Sequence, residues 1–177
     1  MAVDFKELEK KLRETFGASV LDWTEFRGQP CLHVKRESIV KVLAFLRNDP
    51  SAKFEMFTDL TCVDTLRLPD EMQPKYGERF VVMYHVTSLE LGARLRIKAY
   101  VPEDPAEIDT ASGVYLGAAW AEREAFDMFG VVFKGHPDLR RILMPENYEG
   151  HPLRKDYPLK GRGERDNFPK YTDIPEA

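Results

Sequence analysis

Apolar and polar positions recur along this chain with two periods, and each change of period marks an element. Phe5, Leu8, Leu12 and Phe16 keep helical spacing. Asp4 stands in front of them as an N-cap, with Glu7 three residues on in capping-box order, and Gly17 supplies a stop. Val20 to Phe26 and Cys31 to Lys35 read as a hairpin, with Arg27-Gly28-Gln29-Pro30 as its turn. Helical spacing returns at Ile39, Val42, Leu43 and Leu46, in a helix that starts near Glu37 and that Asn48-Asp49-Pro50 ends.

Phe54 to Val63 reads as a strand, followed by an irregular loop from Leu66 to Glu78 with Pro69, Pro74 and Gly77. Phe80 to Val86 is apolar at successive positions, the pattern of an inner strand covered on both faces. Leu95, Ile97, Ala99 and Val101 then alternate with Arg94, Arg96, Lys98 and Tyr100, an antiparallel strand with one face turned to solvent or a partner. Pro102-Glu103-Asp104-Pro105 breaks that strand, and a third helix is expected over Val114 to Phe129. Helix, two strands, helix, three strands, helix is the order of an α+β fold: a mixed or antiparallel sheet packed with helices. Half of the 12 prolines follow Lys134, so an extended proline-rich C-terminal tail is expected there. The division read from the sequence is an α+β body over residues 1–133 and an extended, subunit-binding tail over 134–177.

Composition narrows the function classes. A body of about 130 residues buries well over half the surface of its unfolded chain, enough for a core of its own. Charged residues make up 32% and hydrophobic residues 43% of the 177, a profile of globular domains. No apolar run is long enough for a membrane span and the N-terminus has no secretory h-region. A net charge of −4 argues against nucleic acid as a partner. Cys31 and Cys62 are the only two cysteines and form no CxxC pair, too few for a four-thiolate cluster and suited to packing. GxGxxG, Walker, GxSxG and HExxH patterns are absent, so no cofactor is expected on this chain.

Candidate chemistry concentrates in residues 122–158. A rotation of 100° per residue puts Leu116, Ala119, Trp120, Arg123 and Asp127 on one helical face beside Phe126. Arg123 and Asp127 stand one turn apart, so this spacing predicts a pair buried among apolar neighbours that fixes how tail or partner docks. Glu122 and Glu124 flank the face and are candidates for holding tail arginines. His136 and His151 each sit in Gly-His-Pro, which fixes the backbone beside an imidazole; the spacing matches no zinc motif, and the metal alternative would enlist Asp138 or Asp156. From Lys134 onward nine basic residues face eight acidic ones, net +1, a mixed interface pattern in which Arg140, Tyr148, Arg154, Tyr157 and Phe168 are anchor types.

This region also resembles a known family. Glu122-Arg123-Glu124, Asp127-Met128-Phe129, His136, Arg140 and Ile142-Leu143, followed by Gly150-His151-Pro152-Leu153-Arg154-Lys155-Asp156-Tyr157-Pro158, are similar to the signature blocks of the 30-kDa subunit of respiratory complex I. The resemblance implies a non-redox structural subunit in the peripheral arm of a proton-translocating NADH:quinone oxidoreductase, on the cytoplasmic side of the bacterial inner membrane. FMN and iron–sulfur clusters would lie in partner subunits. The partners implied are the quinone-site subunit, related to hydrogenase large subunits, and the subunit with the terminal iron–sulfur cluster. Related subunits occur in membrane-bound hydrogenases and in ferredoxin- or F420-linked dehydrogenases, which remain an alternative. A free-standing metal-dependent enzyme using His136 and His151 is another. On this reading no residue is catalytic, cofactor-binding or metal-binding. The expected subunit interface consists of Glu122, Arg123, Glu124, Asp127, His136, Arg140, Arg141, His151, Arg154, Asp156 and Tyr157.

Overall fold

The computed structural model describes residues 3–163. Helix α1 (Phe5–Phe16) starts where the Asp4 carboxylate accepts the backbone N–H groups of Lys6 and Glu7, and Leu8 and Leu12 form its buried face. It ends at Gly17, whose φ of 52° disfavours a side chain. Strands β1 (Val20–Phe26) and β2 (Gln29–Lys35) pair antiparallel. Their turn is shorter than the sequence implied: Arg27 and Gly28 alone close it, with φ of 53° and 74°. Two successive positive φ values give a turn whose twist matches the strands, leaving Gln29 and Pro30 free to pair. Helix α2 (Ile39–Asn48) buries Ile39, Val42, Leu43 and Leu46, the four residues its spacing singled out.

Strands β3 (Met56–Asp64), β4 (Phe80–Ser88) and β5 (Ala93–Val101) complete a five-stranded sheet of order β1-β2-β5-β4-β3. β2 and β5 run parallel and the other neighbours antiparallel, so the sheet is mixed. One face carries the core: Leu32, Val34, Leu60, Cys62, Val82, Tyr84, Ile97 and Ala99 meet the apolar faces of the helices. On the other face the 66–78 loop folds over one end, setting the Tyr76 ring 4.8 Å from that of Tyr100. Tyr100 is therefore buried, although its alternation placed it on the open side. Strand β4 is covered on both faces only from Phe80 to Val82; Met83 and His85 are half-exposed beyond the reach of the loop.

Two three-residue strands, β6 (Glu107–Asp109) and β7 (Val132–Lys134), pair parallel at the margin; they are too short to leave a periodic signal. Helix α3 (Ala118–Phe129) begins four residues later than its pattern suggested, because Gly113 and Gly117 leave residues 111–117 in turns. Among the described residues after β7 there is no helix or strand.

Candidate functional site

The site is built around α3, which lies between the sheet and residues 135–157. Ala118, Glu122, Ala125 and Phe129 form its buried stripe against the body. Trp120, Arg123 and Asp127 therefore point away from the sheet. The apolar burial expected for that face does not occur at its start: Leu116 and Trp120 are 88% and 65% exposed. Asp127 is fully buried, because the following segment crosses over it.

That segment runs along α3 in the same direction as the helix. The His136 Nε2 hydrogen-bonds the carbonyl of Ala119, and its Nδ1 accepts the N–H of Asp138. One turn on, Arg123 donates to the carbonyls of Arg140 and Arg141 at 3.0 Å each and its guanidinium lies 5.2 Å from the Trp120 ring. At the next turn one oxygen of Asp127 accepts three consecutive backbone N–H groups, from Ile142, Leu143 and Met144, at 2.8–3.0 Å. Its other oxygen pairs with Arg141 at 2.6 Å.

The Arg123–Asp127 pair read from helical spacing thus does not form. Arg123 is used by carbonyls and Asp127 by Arg141, since a chain lying over both offers shorter and more numerous bonds than a one-turn neighbour. Burial opposes ionisation of Asp127, but the Met144 N–H, Arg141 and the other two N–H groups outweigh it and hold its carboxyl below the usual range.

Residues 151–153 then cap the C-terminal end of α3. His151 Nδ1 hydrogen-bonds the Asp127 carbonyl, and the Leu153 N–H bonds the Met128 carbonyl, satisfying groups the helix itself leaves open. Gly130 ends the helix with φ 77°, and a Cβ there would stand 2.6 Å from the His151 ring. Burial lowers the pKa of His151. The Arg141 guanidinium also reaches the Gly150 carbonyl and lies 5.7 Å from the Tyr148 ring, while the Tyr148 and Tyr157 hydroxyls hydrogen-bond at 2.7 Å.

A second anchor, absent from the sequence-based expectations, joins the same segment to the sheet. Asp64 is buried and accepts two bonds from Arg79 and the N–H groups of Leu66 and Lys155. Arg79 also pairs with Asp156 at 2.9 Å and with Glu103, and Arg154 bridges Glu103 and Asp156. Burial would raise Asp64, but Arg79, Lys155 and Leu66 pull it below the ordinary value. Arg79 does the same for Asp156 more strongly. One signal in the sequence did point to Asp64: it continues the core-facing series Leu60, Cys62, and a charge on that face needs a partner.

Glu122 is placed differently from the expectation that it holds tail arginines. It is fully buried, accepts the Ala111 N–H at 2.6 Å and bonds the Thr110 hydroxyl, tying α3 to the end of β6. Burial pushes it up to about 7, against the lowering effect of Thr110 and Ala111. The His136 Nε2 lies 3.9 Å from the Glu122 carboxylate. Glu124 is exposed, and among the described residues no tail arginine reaches it. Arg140 is exposed and paired with Asp138. The two Gly-His-Pro histidines are each committed to backbone groups, and among the described residues no group of three or more His, Cys, Asp or Glu is placed to hold a metal ion.

The α3 region and both anchors fall within residues 32–163, which match the family described as respiratory-chain NADH dehydrogenase, 30 Kd subunit. The chain belongs to this family. It is 52% identical over 153 residues to the NADH-quinone oxidoreductase subunit designated C of Geobacter metallireducens, covering 86% of this chain and 89% of that one. The corresponding subunit of Trichlorobacter lovleyi is 49% identical over 160 residues, 90% and 93% of the two chains. Among solved structures, a trypsin-resistant fragment (1–134) of Nqo5 superposes with a TM-score of 0.63 at 30% identity, covering 75% of this chain and 98% of the fragment. A chain of an archaeal membrane-bound sulfane sulfur reductase has the same fold over 98% of this chain and 96% of its own, with a TM-score of 0.69 at 23% identity.

Proposed function

We propose that this chain is a non-redox structural subunit in the peripheral arm of a proton-translocating NADH:quinone oxidoreductase, where it supports the quinone-reducing module. The observation that carries this reading is the use of the polar side chains of residues 123–156. Arg123, Asp127, His136, Arg141, His151, Arg154 and Asp156 bond backbone groups or one another, and so hold residues 135–157 in one shape over α3 and the sheet edge. Groups held this way shape a surface. Relatives that share about half of the residues over most of the chain are named as subunits of NADH-quinone oxidoreductase, which supplies the reaction of the assembly.

On this reading electrons pass through FMN and iron–sulfur clusters held by other subunits. The partners are the quinone-site subunit, related to hydrogenase large subunits, and the subunit with the terminal cluster, on the cytoplasmic side of the inner membrane. Among the described residues no helix is long and apolar enough to cross a membrane, so attachment would be through these partners. The outward side of residues 134–163, with Arg140, Glu124 and the exposed Trp120 and Leu143, is the surface offered to them. Residues 164–177, with the anchor candidate Phe168, lie outside the described residues and complete the proposed subunit-binding tail. Purification of the tagged chain from native membranes tests this. NADH:quinone oxidoreductase subunits should co-purify in equal amounts; a set of hydrogenase or ferredoxin-linked dehydrogenase subunits instead, or no partner, would overturn it.

A further inference from the structure

The face of the sheet opposite the core carries a feature that the scaffold fold does not use. Arg94, Arg96 and Lys98 alternate along β5, the central strand, so all three side chains rise from the open face. The register sets no carboxylate directly beside them. Arg94 lies opposite Thr87, Arg96 between Cys31 and His85, and Lys98 between His33 and Met83. The nearest carboxylates, Asp22 on β1 and Asp59 on β3, are two strands away; Asp22 pairs with Lys75, and Asp59 accepts the Leu60 N–H.

The imidazoles do not change this balance at neutral pH. His33 is buried, bonded to Thr24 and Tyr100, and burial lowers its pKa to about 4. His85 is lowered by burial and then by Arg96, whose Nε donates to the ring at 2.9 Å. Among the described residues neither Arg94 nor Lys98 has an ion-pair or hydrogen-bond partner, and Lys98 is half-buried. Three cations in alternating positions repel one another; Arg96 and Lys98 are also partly buried, which weakens their hydration, and Arg96 is met only by the neutral groups of His85 and Gln29 among the described residues. A cleft of about 790 Å³ opens beside the stripe, lined in part by Gln29, His85, Thr87, Arg94 and Arg96, with Asp59 at its β3 side.

We propose that this open face docks an acidic segment of another subunit, whose carboxylates reach Arg94, Arg96 and Lys98. The inference rests on the scaffold reading above and adds a second docking surface, on the opposite side of the sheet from α3. Charge complementarity selects the occupant. A second copy related by a two-fold axis would set one cationic stripe against another, which is unfavourable. Nucleic acid needs a broad positive surface, and this chain carries a net −4.

A carbodiimide joins a lysine amine to a carboxylate only where the two are in contact, so Lys98 itself is the probe. In the assembled complex purified from native membranes, the expected product is Lys98 linked to an Asp or Glu of a different subunit. Labelling of Lys98 by an amine reagent should fall sharply from the free chain to the complex. Lys98→Arg keeps the charge and should assemble normally while losing the link. Arg94→Glu with Lys98→Glu, checked for folding as the free chain, should lower the yield of complex, and the deficit relative to the parent should shrink at high salt, which screens the repulsion. Equal labelling of Lys98 in free chain and complex overturns the docking face alone. Protection without a carboxylate link, or a link only to a second copy, overturns the acidic partner. Absence of this chain from any complex overturns the scaffold reading and the docking face together.

Discussion

Asp127 is the residue on which the α3 assembly depends most. Asp127→Ala leaves Arg141 without its carboxylate and three buried-side N–H groups without an acceptor, at a cost of about 3–5 kcal/mol. Asp127→Asn can keep one oxygen for the N–H groups but turns its amide toward Arg141, so its cost should be intermediate. Chemical denaturation of the free chain reads both. Glu122 predicts a different signature, because burial raises its pKa from 4.5 to about 7. The folded state then binds more protons than the unfolded one between those values. The contribution of Glu122 is fully present below about pH 4.5 and is lost as pH rises through 7, an effect of roughly 3 kcal/mol. His33, lowered to about 4, acts in the opposite sense, losing stability as pH falls from 6.5. Glu122→Gln isolates the carboxyl: the variant should gain stability relative to the parent between about pH 5 and about pH 8. A difference that stays flat with pH would mean that Glu122 ionises freely in the fold.

At the scale of elements, the chain order was legible where apolar spacing is sustained. α1, α2 and β5 follow their patterns closely, and Asp4 and Gly17 mark the ends of α1 as capping chemistry requires. Legibility failed where long-range contacts decide. Asp127 looks like a helix partner of Arg123 until residues 142–144 are laid over it, and nothing local in the sequence gives that crossing. The 66–78 loop buries Tyr100 for the same reason. Residues 135–157, part of the tail expected over 134–177 to bind other subunits, hydrogen-bond to α3 and to the Asp64–Arg79 pair of this same chain. Amide exchange should therefore show Ile142, Leu143, Met144 and Lys155 protected in the free chain. In Arg79→Ala, Lys155 should lose protection before Met144, because the two anchors are separate. Simultaneous loss at all four amides would mean that the segment is held as one unit.

For the whole molecule, the proposed division of labour gives shape to this chain and electron transfer to its neighbours. The purified chain should contain iron, zinc and flavin well below one per chain and show no visible absorption band. A cluster that survives chelation would contradict that division. The 30-kDa subunit family supplies the assembly in which the shape is used, and the proposed contacts lie on two faces, α3 with its overlying segment and the cationic stripe on β5. The most direct measurement is made on membranes from cells carrying Asp127→Ala: assembled complex quantified by native gel, and NADH:quinone reduction measured per assembled complex. A scaffold predicts a large drop in assembled complex with near-normal turnover in each complex that survives. Normal assembly with turnover reduced by orders of magnitude would place this helix in the chemistry and contradict the scaffold role.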